Sequence, residues 1–329
     1  MTADANTKPV VIVTRDVPGK LDVPGVPGAI VHQLGPDHAS RDALLRAASE
    51  ADVLISMFPD RIDAEVLDAG SGRLRGVCNF AVGFNNIDTK ACAERDIVVT
   101  NTPDAVTEGT ANLAWLLAMA VARRLVEGDR YARTGAWAQN GPLAMGDFLG
   151  MDLTGRTILI VGAGRIGYAT AHRALAWGMK VLYVSRSQKW AFELAPMAAR
   201  KVDLHEGLAE ADVVSVHTPL TPETTHLIGE PELGRMKPTA IIVNTSRGPV
   251  IDEEALVEAL RNKRIWGAGL DVFENEPRVH PGLVELDNVT MMPHVGSAEK
   301  RYRERMTAMV GENAAAILLG RRPPNVVEA

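Results

Sequence analysis

Thr157-Ile158-Leu159-Ile160-Val161-Gly162-Ala163-Gly164-Arg165-Ile166-Gly167 is the stretch on which the fold turns. Five strand-forming residues run directly into a Gly-x-Gly-x-x-Gly, and a helix-period stretch follows from Ile166 to Trp177. By itself the glycine spacing is weak; between a strand and a helix it reads as a dinucleotide turn. Gly162 permits the tight bend, Gly164 lets backbone approach a pyrophosphate, and Gly167 allows helix and sheet to pack closely. The helix N-terminus adds amide donors and the positive end of its dipole.

Outward from this turn, short apolar runs alternate with helical stretches. Downstream lie Val181–Val184, Val213–Val216, Ala240–Val243, Trp266–Leu270 and Val289–Met292. Each is apolar nearly throughout, as a strand buried on both faces should be. Upstream, Val10–Val13, Val53–Ser56, Gly76–Asn79 and Ile97–Thr100 repeat the pattern. Such alternation predicts βαβ units and parallel sheets, hence α/β architecture with two domains. A long helix is expected from Val106 to about Ala132, followed by an irregular excursion from Thr134 to Met151. Trp137 and Phe148 in that excursion suggest docking, on a second subunit or on the same chain. The last helix, Ala298 to Leu319, has no strand after it and is expected to return to the first domain. Residues 1–104 with 298–329 then form a substrate-binding domain, and 105–297 the dinucleotide-binding Rossmann domain, with an active site in the interdomain cleft.

Composition sets the outer limits. The chain has 329 residues, 46% hydrophobic and 23% charged, which suits two globular domains. A net charge of −6 argues against nucleic acid as a partner. Cys78 and Cys92 stand in no metal-ligand spacing, so neither a disulfide framework nor a metal is expected. The polar Met1–Lys8 start shows no signal-peptide pattern, and no apolar run approaches a membrane span; a cytoplasmic location is expected.

Cofactor choice is read after the strand Val181–Val184. An acid there would bind the ribose hydroxyls of NAD. The sequence has Ser185-Arg186-Ser187-Gln188-Lys189 instead. Arg186 can offer a planar fork to a 2′-phosphate, so NADP(H) is expected over NAD(H), which remains the alternative.

Three further segments each close a strand: Asn244-Thr245-Ser246-Arg247-Gly248, Asp271-Val272-Phe273-Glu274-Asn275-Glu276-Pro277, and Pro293-His294-Val295-Gly296-Ser297. Ketone reduction needs a proton donor that titrates near neutrality, a carboxylate to orient it, and a cation for the substrate carboxylate. His294, Glu276 and Arg247 supply those types at the edge where open sheets place ligands. Singly, each could be a capping or surface residue; together they answer one mechanism.

With Ala81-Val82-Gly83-Phe84-Asn85-Asn86-Ile87-Asp88 and His217-Thr218-Pro219-Leu220-Thr221-Pro222, these segments resemble the D-isomer-specific 2-hydroxyacid dehydrogenases over nearly the whole chain. Within that family the chain looks most like the glyoxylate/hydroxypyruvate reductases. The resemblance implies that Arg247, Glu276 and His294 are catalytic, with His294 the general acid in reduction. It implies a cofactor held by Gly162, Gly164, Arg165, Ile166, Gly167, Ser185, Arg186, Ser187, His217, Thr218, Pro219, Thr245, Ser246, Arg247, Asp271, His294 and Gly296. Val82 and Gly83, with Arg247, His294 and Met57, are implied to meet a small 2-keto or 2-hydroxy acid. A homodimer is implied as well. Asn112, where an acid is common, and Ala298-Glu299 after Ser297 depart from the family pattern. His32, His38 and His172 are expected to be solvated or structural. Phosphoglycerate, phosphite or a bulkier keto acid are rival substrates, and a nicotinamide-sensing co-repressor is a rival class.

Overall fold

The computed structural model describes residues 8–35 and 40–328; the N-terminal Met1–Thr7 and His38 lie outside the described residues. The chain divides into two compact units, Met1–Val106 with Ser297–Ala329, and Thr107–Gly296.

In the first unit, β1 (Val10–Val13), β2 (Ile30–Gln33), β3 (Val53–Ser56), β4 (Gly76–Asn79) and β5 (Val98–Thr100) form an all-parallel sheet in the order β2-β1-β3-β4-β5. This is the flavodoxin-like order. β3 and β4 are buried at every residue, which is why they read as unbroken apolar runs. The edge strand β2 was not expected. Its side chains are mostly exposed, His32 included, so it lacks the apolar signature of the central strands. The C-terminal helix Lys300–Leu318 lies on this sheet and sets Ile317 against Gly76, where a Cβ would meet Ile317 Cδ1 at 2.5 Å.

The second unit holds β6 (Thr157–Val161), β7 (Lys180–Val184), β8 (Arg200–Lys201), β9 (Val213–Val216), β10 (Ile241–Asn244), β11 (Gly267–Leu270) and β12 (Val289–Met291). Their order is β12-β11-β10-β9-β6-β7-β8, again all parallel. Chain order reverses between β6 and β9, the switch point where a Rossmann sheet opens its ligand crevice. Ile241, Ile242 and Val243 of β10 are fully buried; truncating such an Ile to Ala costs roughly 2–5 kcal/mol. The sheet is covered on one side by the helix Thr107–Ala122, whose Leu117 and Val121 belong to the same core as Val213 and Val243.

The long helix expected from Val106 to Ala132 is two helices. Thr107–Ala122 ends, Arg124 takes a left-handed conformation at φ 51°, and Leu125–Arg133 starts anew. Arg124 is held there by Glu127, through bonds of 2.8 and 2.6 Å, and its guanidinium lies 5.2 Å from the Phe148 ring centroid. Apolar spacing ran on through Leu125 and so hid the break. Phe148 thus packs within its own chain, with Tyr131 5.2 Å away between centroids, whereas Trp137 is 55% exposed. Among the described residues no helix is long and apolar enough to cross a membrane.

Candidate active site

The glycine turn sits at the carboxyl end of β6. Gly162 has φ +103°, and a Cβ there would lie 2.7 Å from the backbone of His217 and Thr218, just after β9. A Cβ on Gly167 would meet the Gly162 carbonyl oxygen at 2.4 Å, so the helix Arg165–Leu175 could not approach the turn with any larger residue. Beside Gly164, in contrast, nothing lies within 4 Å of where a Cβ would be. That leaves room for a pyrophosphate against the helix N-terminus, which Gly164 caps and Arg165 and Ile166 begin.

The neighbouring strand ends add buried polar atoms without protein partners: His217 Nδ1, Thr218 Oγ1 and Thr245 Oγ1. Buried groups of this kind ordinarily find a partner. His217 binds Ser215 Oγ through Nε2 at 2.8 Å, and burial pushes its pKa down to about 3, so the ring is neutral. Pro219 is exposed at the same edge. These donors, the glycine turn and the open space at Gly164 fit a nicotinamide dinucleotide. Ser185, half-buried, and Arg186 and Ser187, both exposed, follow β7. Glu223 lies close enough to Arg186 for that charge to help lower its pKa, after hydrogen bonds from Thr221 and its own backbone.

The strand ends of β10, β11 and β12, adjacent in the sheet, carry the charged groups. His294 Nδ1 and Glu276 Oε2 are 2.7 Å apart. Glu276 Oε1 accepts the Phe273 N–H at 3.0 Å, so both carboxylate oxygens are fixed. Burial opposes ionisation of Glu276, but the His294 bond, the Phe273 amide and the Arg247 charge outweigh it and hold its pKa below the usual carboxylate value. His294 itself has φ 53°, and its N–H donates to the Asp271 carbonyl at 2.8 Å. The Asp271 carboxylate accepts the next two amides, Val295 at 2.7 Å and Gly296 at 2.8 Å. The histidine's backbone is therefore clamped on both sides by one residue of β11's end.

Arg247 stands three residues beyond β10. Asn244 organises that turn: its Oδ1 accepts Ser246 N–H at 3.0 Å and Ser246 Oγ at 2.8 Å, and its Nδ2 donates to the Arg247 carbonyl at 2.9 Å. Burial lowers the guanidinium's pKa and Glu276 counters it; an arginine remains cationic throughout the neutral range. Asp252 caps the helix Glu253–Arg261 by accepting Ala255 N–H at 3.0 Å.

In the first unit, the loop after β4 carries Val82 and Gly83. Asn101 Nδ2 donates to the Val82 carbonyl at 2.8 Å and Asn79 Nδ2 to the Gly83 carbonyl at 2.7 Å. Both carbonyls of the pair are thus bonded by side chains of the same unit. Met57 is buried at the end of β3, and its N–H donates to Asp60 at 2.7 Å. Neither asparagine was singled out in the sequence; a polar residue closing a buried strand, as Asn79 does, was the available signal. Of the other histidines, His172 stacks edge-on against Tyr168 at 4.6 Å and is exposed. Asn112, at the departure noted above, accepts Arg173 Nε at 3.0 Å.

Residues 115–296 match the family described as D-isomer specific 2-hydroxyacid dehydrogenase, NAD binding domain. The chain belongs to this family. As a D-2-hydroxyacid dehydrogenase it is an oxidoreductase with a nicotinamide-binding Rossmann domain. It is 46% identical to a glyoxylate reductase from Thermococcus onnurineus, over 97% of this chain and 96% of that one. Among solved structures, a protein from Thermus thermophilus superposes with a TM-score of 0.90 at 46% identity, covering 97% of this chain and 100% of the other. An NADPH-dependent glyoxylate/hydroxypyruvate reductase from Sinorhizobium meliloti, solved with NADP and malonate, gives 0.81 at 30% identity, over 98% and 97%.

Proposed function

We propose that this dehydrogenase reduces glyoxylate to glycolate and hydroxypyruvate to D-glycerate, preferring NADPH, with NADH as the weaker reductant. Reduction of a small 2-keto acid to the 2-hydroxy acid is the activity of the enzyme. The observation that carries the mechanism is the His294–Glu276 pair, 2.7 Å apart, on the same sheet edge as Arg247.

The bound reduced nicotinamide supplies the hydride. His294 donates the proton to the carbonyl oxygen from Nε2, since Nδ1 faces Glu276; in oxidation the same nitrogen takes it back. Ionised Glu276 stabilises the imidazolium and fixes the ring. Arg247 grips the substrate carboxylate and opposes the charge that develops on the keto oxygen. The Val82 and Gly83 amides bind the carboxylate, and Met57 lines the pocket.

NADPH preference rests on Ser185, Arg186 and Ser187 in place of an acid, and on the NADPH-dependent relative from Sinorhizobium meliloti. An Arg fork on a phosphate is a charge-assisted contact of about 1.5–3 kcal/mol. Arg186→Ala is thus expected to raise KM for NADPH about 10- to 100-fold while leaving KM for NADH within about twofold. The assignment is tested by initial rates of nicotinamide oxidation with NADPH and NADH in parallel, against glyoxylate, hydroxypyruvate and pyruvate. NADPH favoured with the first two supports it; NADH favoured overturns the cofactor reading, and turnover confined to bulkier acids overturns the substrate.

The enzyme is further read as a cytoplasmic homodimer. Trp137, Met145 and Leu149 are exposed on the excursion of the second unit, and Leu125 on the helix before it, apolar side chains that suit a second copy. Both cysteines are buried thiols, as a reducing compartment allows. Light scattering at micromolar concentration tests the dimer; a monomer overturns it.

A further inference from the structure

The loop Phe273–Glu276 is held by two carboxylates that the proposed chemistry does not use. Glu253 opens the helix Glu253–Arg261, where the first N–H groups have no intrahelical acceptor. Its N–H donates to Glu274 Oε1 at 3.1 Å, and the Glu274 N–H donates back to Glu253 Oε1 at 2.8 Å. Each residue's carboxylate therefore accepts the other's main-chain N–H. His226 Nε2 lies 2.8 Å from the same Glu274 oxygen, with Asp252 3.8 Å from its other nitrogen. Glu253 is 5% exposed, and burial, with the charges of Glu274 and Glu276, raises its pKa, while the Glu274 amide and the charge of His280 oppose the rise.

The pairing reaches the proposed acid by short steps. Glu276 lies two residues beyond Glu274, and its Oε1 accepts Phe273 N–H, so residues 273, 274 and 276 are each pinned. Gly248, next to Arg247, is pressed on the same loop: a Cβ there would fall 1.9 Å from the Phe273 carbonyl carbon. The loop that carries Glu276 thus also rests against the turn that carries Arg247.

We propose that the reciprocal Glu253–Glu274 pairing is a positioning device that sets Glu276 against His294, making Glu253 a positioning residue for proton transfer. The proposal rests on His294 and Glu276 being the acid and its partner. What the pairing needs from Glu253 is an acceptor oxygen rather than a charge, so Gln should serve and Ala should not.

In the full-length enzyme, Glu253→Ala is expected to lower kcat for keto-acid reduction about 10- to 100-fold, the usual consequence of displacing a reacting group by a fraction of an ångström to an ångström. KM for the nicotinamide should stay within about twofold, because the glycine turn is untouched. The alkaline limb of the kcat/KM profile should move to lower pH, as the acid loses its well-placed carboxylate. Glu253→Gln should restore both rate and profile. Glu274→Ala removes the pairing from the other side and should reproduce the Glu253→Ala profile, which keeps the test open if that variant folds poorly. An unmoved pH profile in folded Glu253→Ala and Glu274→Ala, or a Gln variant as impaired as Ala, overturns the proposal. His294→Asn serves as reference. If it retains full activity, the acid assignment itself falls; if it is inactive while Glu253→Ala is normal, only the positioning role falls.

Discussion

The residues that follow β11 and β12 and the loop that follows β4 handle polar groups in opposite ways. At the edge of the seven-stranded sheet, main-chain amides hold charged side chains: Phe273 N–H on Glu276, Val295 and Gly296 N–H on Asp271. At the edge of the five-stranded sheet, neutral side chains hold the main chain, Asn79 and Asn101 gripping the carbonyls of Gly83 and Val82. Groups that change charge in a reaction need fixed dipoles around them, whereas a loop that only binds needs its backbone aimed. The first arrangement should govern kcat and the second KM.

The largest effect is expected from His294→Asn. Loss of the general acid should cut kcat/KM about 10²- to 10⁴-fold, with the dissociation constant for NADPH, measured by fluorescence quenching, nearly unchanged. Asn101→Ala should act through binding alone. One lost hydrogen bond of roughly 1 kcal/mol should raise KM for the keto acid about five- to tenfold and leave kcat within about twofold. A kcat defect in Asn101→Ala as large as that in His294→Asn would erase the contrast between the two edges.

The smallest effect concerns pH. Asp271 is raised from 3.8 to about 6, with burial the largest cause. Between those values the folded chain keeps a proton that the unfolded chain has released. Its contribution to stability is therefore full below 3.8 and is lost as pH rises through about 6. Function needs the reverse, an ionised carboxylate for the Val295 and Gly296 amides. Activity should accordingly rise severalfold through about pH 6 while this contribution to stability fades. Asp271→Asn should lack that inflection in both kcat/KM and Tm, and an inflection that survives the substitution would assign it to another group.

Much of this organisation is legible in the residues. β3, β4, β9 and β10 are buried on both faces and announce themselves as apolar runs. The strands that escape notice, β2 and the two-residue β8, lie at sheet edges and carry exposed, partly charged side chains. The break at Arg124 escapes because the apolar spacing runs on through Leu125, while the contacts at Arg124, to Glu127 and the Phe148 ring, are made by its side chain. His294, Glu276 and Arg247 stand out in the sequence because each lies in a segment that follows a strand and is a residue type that ketone reduction requires. Asn79, Asn101, Glu253 and Glu274 are not, because what they do is bond a backbone whose course only the fold reveals.

The reductase is expected to present a 2-keto acid to hydride in the D-specific sense, held by its proton donor and substrate clamp. Chiral analysis of the glycerate formed from hydroxypyruvate and NADPH tests it most directly. D-Glycerate as the sole product is the predicted result; L-glycerate, or no glycerate from a folded enzyme, would contradict it.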